Sequence, residues 1–353
     1  MRVVNLRDFE DVAREKLDPV FYDYFASGAQ DEVTVAANEA AYRRLALVPR
    51  ILRGAGLPSL ATKLLGCAAS MPVMLAPTAF HRLAWPSEGE AATARAARDA
   101  GVIMIAAMLS TITIEEIAAA GGTLWFQLYV QPDRGFTESL VRRAEAAGCR
   151  ALVVTVDSPA LGRNERGDRN DFHDLPPGIF CANLRGDGWS NGHVRQVVLS
   201  PEISWSHVEW LREVTRLPIL LKGVLHPEDA RLAVENGVDG LIVSNHGGRQ
   251  LDTTPASIDR LPVIAEAVAG RVPLIVDGGV RRGTDVVKAL ALGATAVAIG
   301  RPVLWGLAAD GGEGVAGVLA LLRREVENAL TLCGAASAGD LGRDQVVRQG
   351  TAE

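Results

Sequence analysis

The sequence predicts an α/β protein folded as a (β/α)8 TIM barrel, preceded by an N-terminal helical extension and carrying a long lid loop after strand four. Eight short runs rich in Val, Ile and Leu alternate with Ala- and Arg-rich stretches of helical period, which is the pattern of repeated βα units. Most runs lack polar alternation, as expected for parallel strands buried on both faces. Eight such units in a block of about 260 residues favour a closed barrel. A doubly wound open sheet is the alternative.

The predicted strands are short, and the stretches between them are long enough for helices. In chain order the strands are Val73–Ala76, Val102–Ile105, Leu124–Tyr129, Ala151–Thr155, Ile219–Lys222, Gly240–Ser244, Leu274–Asp277 and Ala296–Ile299. Four of them follow a helical stretch that ends on glycine: Ala100-Gly101, Ala147-Gly148, Asn236-Gly237 and Leu292-Gly293. Because glycine accepts the left-handed conformation at a helix C-terminus, each pair predicts a joint between a helix and the next strand.

The whole chain, residues 1–353, is interpreted as a single domain. Residues 1–70 are predicted to form the helical extension, in which Pro19 and Gly28 bracket a helix, and residues 71–335 the barrel. The connection of residues 158–204 is much longer than the others and is rich in Gly, Asn and Arg. A loop of that length is usually a functional lid or a partly disordered segment.

Composition and charge exclude several classes of function. The 36 basic and 42 acidic residues give a net charge of −6, so a nucleic-acid surface is not expected. The four cysteines are Cys67, Cys149, Cys181 and Cys333. Their spacing fits neither a metal site nor a dithiol motif, and they are expected to be reduced core residues. The most apolar stretch, Val102–Leu109, is too short to span a membrane. Met1–Glu10 lacks a signal-peptide pattern and Arg348–Glu353 lacks a peroxisomal tripeptide, so we expect a cytoplasmic protein.

Glycines and charged residues follow the last two predicted strands at their C-terminal ends, where barrel enzymes hold their active sites. Strand seven ends in Asp277-Gly278-Gly279-Val280-Arg281, and strand eight is followed by Gly300-Arg301. Glycines let backbone N–H groups approach a phosphate, and arginines add charge-assisted hydrogen bonds. Two such clusters after neighbouring strands predict a phosphate site, although either one alone could be a simple tight turn.

A second group of side chains at the strand ends could carry out chemistry. His246 follows strand six, three residues before Arg249; the imidazole could act as a base and the guanidinium could hold a carboxylate. Lys222 ends a buried strand, where an ammonium must meet a negative partner or shift its pKa; on the inner face of a barrel we expect it to hold a negative charge of the ligand. Asp157 and Arg163 follow strand four and supply a carboxylate to orient His246 and a further cation. The histidine spacing indicates no metal.

Together these residues closely resemble the FMN-dependent α-hydroxy acid oxidase and dehydrogenase family, which includes glycolate oxidase, lactate oxidase, mandelate dehydrogenase and hydroxymandelate oxidase. The resemblance extends from Phe21–Gly28 to the turn Gly300-Arg301-Pro302. Its most specific part is Ser244–Asp252 followed by Asp277–Gly283. The resemblance implies FMN as cofactor, oxidation of an (S)-2-hydroxy acid to a 2-oxo acid, and a homotetramer.

The resemblance also implies a role for each matching position. His246 would be the catalytic base, Asp157 would orient it, and Tyr129 would hydrogen-bond the reacting oxygen. The residues that would bind the substrate are Tyr24, Tyr129, Arg163 and Arg249. Those that would hold the isoalloxazine ring are Pro77, Thr78, Ala79, Gln127, Thr155, Lys222 and Ser244. Those that would hold the ribityl chain and the phosphate are Asp277, Gly278, Gly279, Arg281, Gly300 and Arg301.

The stretch after strand two departs from the family pattern. Ala107 stands where the family often has a hydroxyl residue in contact with the flavin, and Leu109 stands where glycolate oxidases have a Trp. Loss of the indole should enlarge the pocket, which favours a larger or aromatic 2-hydroxy acid. Met108 or a residue of the lid could instead refill the space. Ala79 resembles the oxidases more than the dehydrogenases, so O2 is the favoured electron acceptor.

Three other functions stay open at the level of the sequence. A dehydrogenase would pass its electrons to an acceptor other than O2. A flavin-binding barrel without activity has only Ala107 in its favour. A flavin-free barrel acting on a phosphorylated substrate would use the same phosphate turns, but it gives no reason for the presence of Tyr24, Arg163 and Arg249 together.

Overall fold

The elements of the fold are taken from a computed structural model, which describes residues 2–184 and 197–349. The helices are α1 (Leu6–Lys16), α2 (Pro19–Ala26), α3 (Val33–Arg43), α4 (His81–Ala84), α5 (Glu90–Asp99), α6 (Ile114–Ala119), α7 (Arg134–Ala146), α8 (Glu165–Arg169), α9 (Trp205–Val214), α10 (Pro227–Glu235), α11 (Ser257–Val268), α12 (Gly283–Ala291) and α13 (Arg301–Leu332). The strands are β1 (Leu45–Leu47), β2 (Thr62–Leu64), β3 (Cys67–Ala69), β4 (Val73–Leu75), β5 (Ile103–Ala107), β6 (Thr123–Leu128), β7 (Leu152–Thr155), β8 (Ile219–Lys222), β9 (Gly240–Val243), β10 (Leu274–Asp277), β11 (Ala296–Ile299) and β12 (Val346–Arg348). The backbone of α13 is interrupted at Asp310 and Gly311.

Strands β4 to β11 form a closed parallel barrel, which confirms the predicted fold class. Each strand pairs with the next along the chain, and β11 pairs with β4 to close the ring. Every predicted strand is present within two residues of its predicted bounds, and the open-sheet alternative is wrong. Because the strands all run in the same direction, their C-terminal ends meet at one end of the barrel.

Both faces of the barrel strands are buried, which explains why their middle residues are apolar and their polar residues lie at or near the strand ends. In β5, Ile103 and Ile105 join Trp125 in the cluster that fills the barrel, whereas Met104 belongs to the layer beneath the surrounding helices. Side chains that alternate along a strand produce this division. The antiparallel hairpin of β2 and β3 adds Leu64 to the interior cluster. Since β3 ends just before β4 begins, the hairpin closes the N-terminal end of the barrel.

The predicted joints between helices and strands contain left-handed glycines. The φ angles are +65° at Gly101, +87° at Gly148, +69° at Gly237 and +108° at Gly293. Each glycine follows a helix and precedes a barrel strand, which confirms the prediction from the sequence.

The N-terminal extension is helical over only part of the predicted span of residues 1–70. Helices α1 to α3 end at Arg43, and the rest contains β1, an irregular segment, and the hairpin of β2 and β3. Strand β1 pairs with β12, which lies at the other end of the chain. Three residues are too few to show a strand period of their own, so a local pattern could not reveal this pairing. The single-domain interpretation stays a prediction.

The long connection after β7 contains a short helix, α8, that contacts the extension. Asp23 of α2 lies 3.3 Å from a guanidinium nitrogen of Arg166, and its carboxylate accepts a hydrogen bond from the side-chain amide of Asn170 at 2.9 Å. The first part of the predicted lid, residues 158–204, is therefore attached to α2. Residues 185–196 of this lid lie outside the described residues.

The four cysteines are buried and unpaired, as expected for reduced core residues. Within residues 2–184 and 197–349, every helix is too short or too polar to cross a membrane. In the same part of the chain, no group of His, Cys, Asp and Glu residues is arranged to hold a metal ion.

Asp252 attaches α3 to the barrel. Helix α3 begins after Glu32, which has a left-handed backbone and provides no side-chain cap. The Asp252 carboxylate instead accepts hydrogen bonds from the backbone N–H groups of Thr34 at 2.8 Å and Val33 at 3.3 Å. Burial raises the pKa of Asp252, but backbone N–H groups, those of Thr34 and Thr253 foremost, outweigh burial and lower this pKa overall. A carboxylate at this place also complements the helix dipole.

Replacing Asp252 by Ala should lower the free energy of unfolding by about 1 to 2 kcal/mol at pH 7, as the loss of a helix cap does. Because the folded pKa lies below its ordinary value of 3.8, the contribution of the carboxylate is complete above that value. It is lost as the pH falls through the folded pKa. Urea denaturation should therefore show a smaller difference between wild type and Asp252→Ala at pH 3 than at pH 7. Asp31→Ala, at an exposed position, is the control; an equal Asp252→Ala difference at both pH values would contradict the capping role.

Candidate functional site

A cavity of about 470 Å³ opens at the C-terminal ends of the barrel strands. Most of the site residues predicted from the sequence line it. They are Tyr24, Pro77, Thr78, Ala79, Gln127, Tyr129, Thr155, Arg163, Lys222, His246, Arg249, Asp277, Gly278, Gly279, Arg281, Gly300 and Arg301. Asp157 and Ser244 lie behind this lining and hydrogen-bond to His246 and Lys222 respectively. Residues that are far apart in the sequence thus converge on one cavity.

His246 is held between Asp157 and Tyr129. Its Nδ1 lies 2.9 Å from Oδ1 of Asp157, and its Nε2 lies 3.4 Å from the hydroxyl of Tyr129. The backbone of His246 has a φ of +58°, which is uncommon for a residue other than glycine and points to a functional constraint. Because Asp157 engages Nδ1, Nε2 is the nitrogen that can exchange a proton in the cavity.

Asp157 carries its charge over the neutral and mildly acidic pH range. Burial raises the pKa of this carboxyl, but the charges of His246 and Lys222 and hydrogen bonds from His246 and Ser158 lower it to about 2. Gly223 makes room for the side chain, since a Cβ at that position would lie 2.5 Å from the Cβ of Asp157. An ionised and confined carboxylate holds the imidazole in one orientation.

Lys222 lies in a buried polar layer at the ends of β8, β9 and β10. Its ammonium donates to Oγ of Ser244 at 3.1 Å and lies 3.6 Å from Oδ2 of Asp277. The side chains of Lys222 and Asp277 are only 4% and 8% exposed. Ser244 Oγ also accepts a hydrogen bond from the backbone N–H of His246 at 3.0 Å. The layer supplies the negative partner that an ammonium in this place needs, and it connects that ammonium to the loop of His246.

The turn after β10 presents polar atoms that fit FMN. Within the described residues, Oδ1 of Asp277 and Nε of Arg281 are buried without a hydrogen-bond partner, a state that calls for a ligand or a water. A carboxylate oxygen can accept from a ribityl hydroxyl, and a guanidinium can donate to a phosphate. The turn itself needs Gly278 and Gly279, whose φ angles are +91° and +83°. A Cβ on Gly279 would lie 2.2 Å from the carbonyl oxygen of Asn38, so α3 packs directly against the turn.

Arg249 and Arg301 fasten the N-terminal extension over the cavity. Nη1 of Arg249 donates to the carbonyl oxygens of Tyr24 at 2.8 Å and Ser27 at 2.9 Å. The guanidinium of Arg301 donates to the carbonyl oxygens of Phe25 at 3.0 Å and Ser27 at 2.8 Å. Sequence reasoning assigned both arginines to ligands and missed this structural task. A guanidinium has five N–H groups, so both side chains retain donors for an anion.

Arg163 lies at the rim of the cavity. Its side chain is 71% exposed, and its Nε lies 3.8 Å from Oδ2 of Asp168. Tyr24, in contrast, is enclosed: burial raises the pKa of its hydroxyl, and the guanidinium of Arg249 lies 5.1 Å from its ring centroid. The structure thus places Tyr24 beside Arg249 and leaves Arg163 near solvent.

Buried hydrogen bonds support two further parts of the lining. Nε2 of Gln127 donates to Oγ1 of Thr155 at 3.1 Å, and its Oε1 accepts from the backbone N–H of Met108 at 3.2 Å. Oγ1 of Thr78 lies 2.7 Å from Nε2 of His81, whose pKa is lowered by burial. Nothing in the local sequence indicates that His81 supports the turn after β4, so sequence reasoning missed this contact.

An apolar wall completes the cavity. We use the term apolar wall for four of the apolar lining residues, namely Ala107 and Leu109 at and just after the end of β5, and Leu161 and Phe172 in the connection after β7. Met108 is fully buried and is absent from this wall, so the lid, rather than Met108, contributes side chains here. Sequence reasoning raised the lid as an alternative but missed Leu161 and Phe172, because loop contacts carry no periodic signal.

Known proteins resemble this chain over nearly its whole length. The family described as FMN-dependent dehydrogenase matches residues 13–348. Glycolate oxidase 5 of Oryza sativa subsp. japonica is 47% identical over 357 residues, which cover 98% of this chain and 96% of that protein. L-lactate oxidase of a Nostoc species is 46% identical over 354 residues, which cover 96% of each protein.

Solved structures resemble the fold just as closely. A mandelate oxidase mutant with (S)-mandelic acid superimposes with a TM-score of 0.92 and 44% identity, and the match covers 100% of both chains. A further mandelate oxidase structure has a TM-score of 0.92 and 44% identity over 99% of both chains.

Lys222→Met should lower the free energy of unfolding of the flavin-free protein by about 3 kcal/mol, because the buried carboxylate of Asp277 loses its counter-charge. Adding Asp277→Asn should recover much of this loss, since it removes the uncompensated charge. Urea denaturation of the flavin-free variants measures both effects, with Lys63→Met at an exposed position as the control. A double variant no more stable than Lys222→Met would show that the two side chains are not coupled.

Proposed function

The chain belongs to the FMN-dependent dehydrogenase family, and we propose that it oxidises an (S)-2-hydroxy acid larger than glycolate, of the aromatic, mandelate-like class, to the 2-oxo acid. FMN is its cofactor, and it is an oxidase of 2-hydroxy acids that uses O2. The observation that carries the choice of substrate is the apolar wall, which shares its cavity with His246. The cytoplasmic location and the homotetramer expected from the sequence stay predictions.

Bound FMN supplies the two-electron acceptor for the oxidation, and the chain supplies the proton transfers and the orientation of the substrate. His246 would take a substrate proton on Nε2, because Asp157 engages Nδ1. Burial, and next the charge of Asp157, raise the pKa of Tyr129, so its hydroxyl keeps its proton. Tyr129 would therefore donate a hydrogen bond to the substrate oxygen that lies next to His246.

The carboxylate of the substrate would be held on the side of Arg249 and Tyr24. Arg249 retains N–H groups beyond the two bonds of its Nη1, and a guanidinium binds a carboxylate through two parallel hydrogen bonds. Arg163 would add a second positive charge from the rim. A substrate fixed by its carboxylate presents C2 in a defined place, which is the main contribution of such a clamp to rate.

The other lining residues would hold FMN. Those proposed for the isoalloxazine ring are Pro77, Thr78, Ala79, Gln127, Thr155, Lys222 and Ser244, and those for the ribityl phosphate are Asp277, Gly278, Gly279, Arg281, Gly300 and Arg301. The unpartnered atoms of Asp277 and Arg281 support this division. Lys222 would offer a positive charge to the ring in a site with little water, where such a charge acts most strongly.

The apolar wall suits an aromatic side chain on the substrate. The ring of Phe172 lies 5.4 Å from that of Tyr24 at an angle of 67°, so aromatic surfaces already pack edge to face here. Leu109 and Ala107 add apolar surface without a polar group. Glycolate has no side chain to bury against it, whereas a phenyl group would gain about 2 to 3 kcal/mol. The likeness to a mandelate oxidase structure with (S)-mandelic acid supports the same choice.

The proposal predicts that (S)-mandelate is a better substrate than glycolate by about 30- to 150-fold in kcat/KM, which corresponds to burial of its phenyl group. Anaerobic bleaching of the flavin with glycolate, L-lactate and (S)-mandelate, followed by O2 consumption beside dye reduction, measures this preference and identifies the electron acceptor. Leu109→Trp is the matched variant, since an indole there should fill the wall and reduce the preference for mandelate. Faster bleaching by glycolate in the unaltered chain would overturn the choice of substrate.

Replacing His246 by Ala should lower the rate constant of flavin reduction by about 10² to 10⁴-fold, the usual contribution of a general base. FMN should stay bound, because the proposed cofactor contacts are made by other residues. Stopped-flow absorbance of the flavin under anaerobic conditions measures the rate. His226→Ala, at an exposed position outside the cavity, is the control. Unchanged reduction in His246→Ala would exclude His246 as the base.

A further inference from the structure

We propose that Gln250 is a positioning residue that ties together the two loops carrying the proton-transfer and carboxylate-binding groups. One loop, after β7, carries Asp157 and Arg163; the other, after β9, carries His246 and Arg249. The inference rests on the proposed function, because this tie matters to catalysis only if these groups act on a 2-hydroxy acid.

The side-chain amide of Gln250 uses both its oxygen and its nitrogen on a single neighbouring loop. Oε1 accepts a hydrogen bond from the backbone N–H of Gly162 at 2.7 Å. Nε2 donates to the carbonyl oxygens of Ala160 at 3.2 Å and Asp157 at 3.3 Å. Gln250 therefore binds the backbone of Asp157, which would orient His246, and the backbone of Gly162, which immediately precedes Arg163.

The loop that Gln250 contacts has no regular structure to hold it in place. Residues 156–164 form neither helix nor strand, and segments without such structure open more readily than the elements they connect. The loop also has a hydrogen bond that does not involve Gln250. The carbonyl oxygen of Arg163 accepts it from the backbone N–H of Gln30 at 2.9 Å. Bonds from outside the loop therefore determine where Asp157 and Arg163 lie.

The two loops also touch backbone to backbone at Gly162. A Cβ at this position would lie 2.2 Å from the carbonyl oxygen of Arg249 and 2.7 Å from Cα of Gln250. Such close packing is open only to glycine, and it brings the two loops into direct contact beside the hydrogen bonds of Gln250. Gln250 then fixes the distance between the segment of Arg163 and the neighbouring Arg249, which would bind the same carboxylate.

The neighbouring residue provides a comparison within the same turn. Leu251 is 72% exposed, whereas Gln250 lines the cavity and points its amide at the loop after β7. A residue that only stabilises the turn would affect unfolding and cofactor retention. A positioning residue would instead affect substrate affinity and the rate of flavin reduction.

Gln250→Met tests the proposal in the FMN-loaded protein, because methionine keeps the length of the side chain and removes all three hydrogen bonds. Leu251→Met is the matched control. The rate constant of anaerobic flavin reduction at saturating 2-hydroxy acid should fall by about 10- to 100-fold, as small misplacements of catalytic groups do, and KM should rise. Tryptic cleavage after Arg163 should accelerate by about threefold or more, because the loop opens more often. FMN content and the unfolding temperature should match those of Leu251→Met.

A rate constant and a KM within about twofold of the wild-type values would overturn the proposal. A loss of rate that merely follows a loss of FMN or of thermal stability would also overturn it, since that is the pattern of a structural role. If Gln250→Met does not fold, the same measurements on Gln250→Glu decide the question. The carboxylate keeps the acceptor for Gly162 but faces the carbonyl oxygens of Asp157 and Ala160 without a donor, so the rate should again fall.

Failure of the proposed function has a different signature. If no 2-hydroxy acid bleaches the flavin of the wild-type chain, the proposed function is refuted. The comparison of tryptic cleavage between Gln250→Met and Leu251→Met needs no substrate, and it decides by itself whether Gln250 holds the loop.

Discussion

The site depends on how the N-terminal extension is fastened across the open end of the barrel. Arg249 and Arg301, which follow β9 and β11, donate hydrogen bonds to the carbonyl oxygens of Tyr24, Phe25 and Ser27. Hydrogen bonds from a charged donor are about twice as strong as neutral ones, and these four are partly buried. Asp252 fixes the following helix in the same way, through its N-terminal N–H groups. Tyr24 thereby enters the cavity from a segment that is not part of the barrel.

The same fastening gathers positive charge around the cavity. Burial, together with the nearby charges of Arg249 and Arg281, lowers the pKa of Arg301 to about 9. Like charges held close together favour an anionic ligand, because the ligand relieves their repulsion. A phosphate at one end of the cavity and a carboxylate at the other suit this arrangement.

The features that could be predicted from the sequence have local signals. An apolar run that ends in Lys222 or Asp277 indicates both a strand and its polar end, and the barrel rule then places all such ends together. Features that depend on packing had no such signal. The side chain of Arg301 is long, so its guanidinium could point in several directions. Its hydrogen bonds to the extension depend on the fold and cannot be inferred from its place after β11. Leu161 and Phe172 reach the wall for the same reason, through the path of a loop.

The architecture separates the chemistry from the recognition of the substrate side chain. Lys222 ends β8 and His246 lies in the short turn after β9, whereas the wall comes partly from the irregular loop after β7. Under the proposed function, changes in the wall would alter the preferred substrate without moving His246. That loop also carries Arg163, so its backbone must keep its place whichever side chains line the wall. The amide of Gln250 meets this requirement, because it binds only backbone groups of the loop and is indifferent to the side chains that the loop carries.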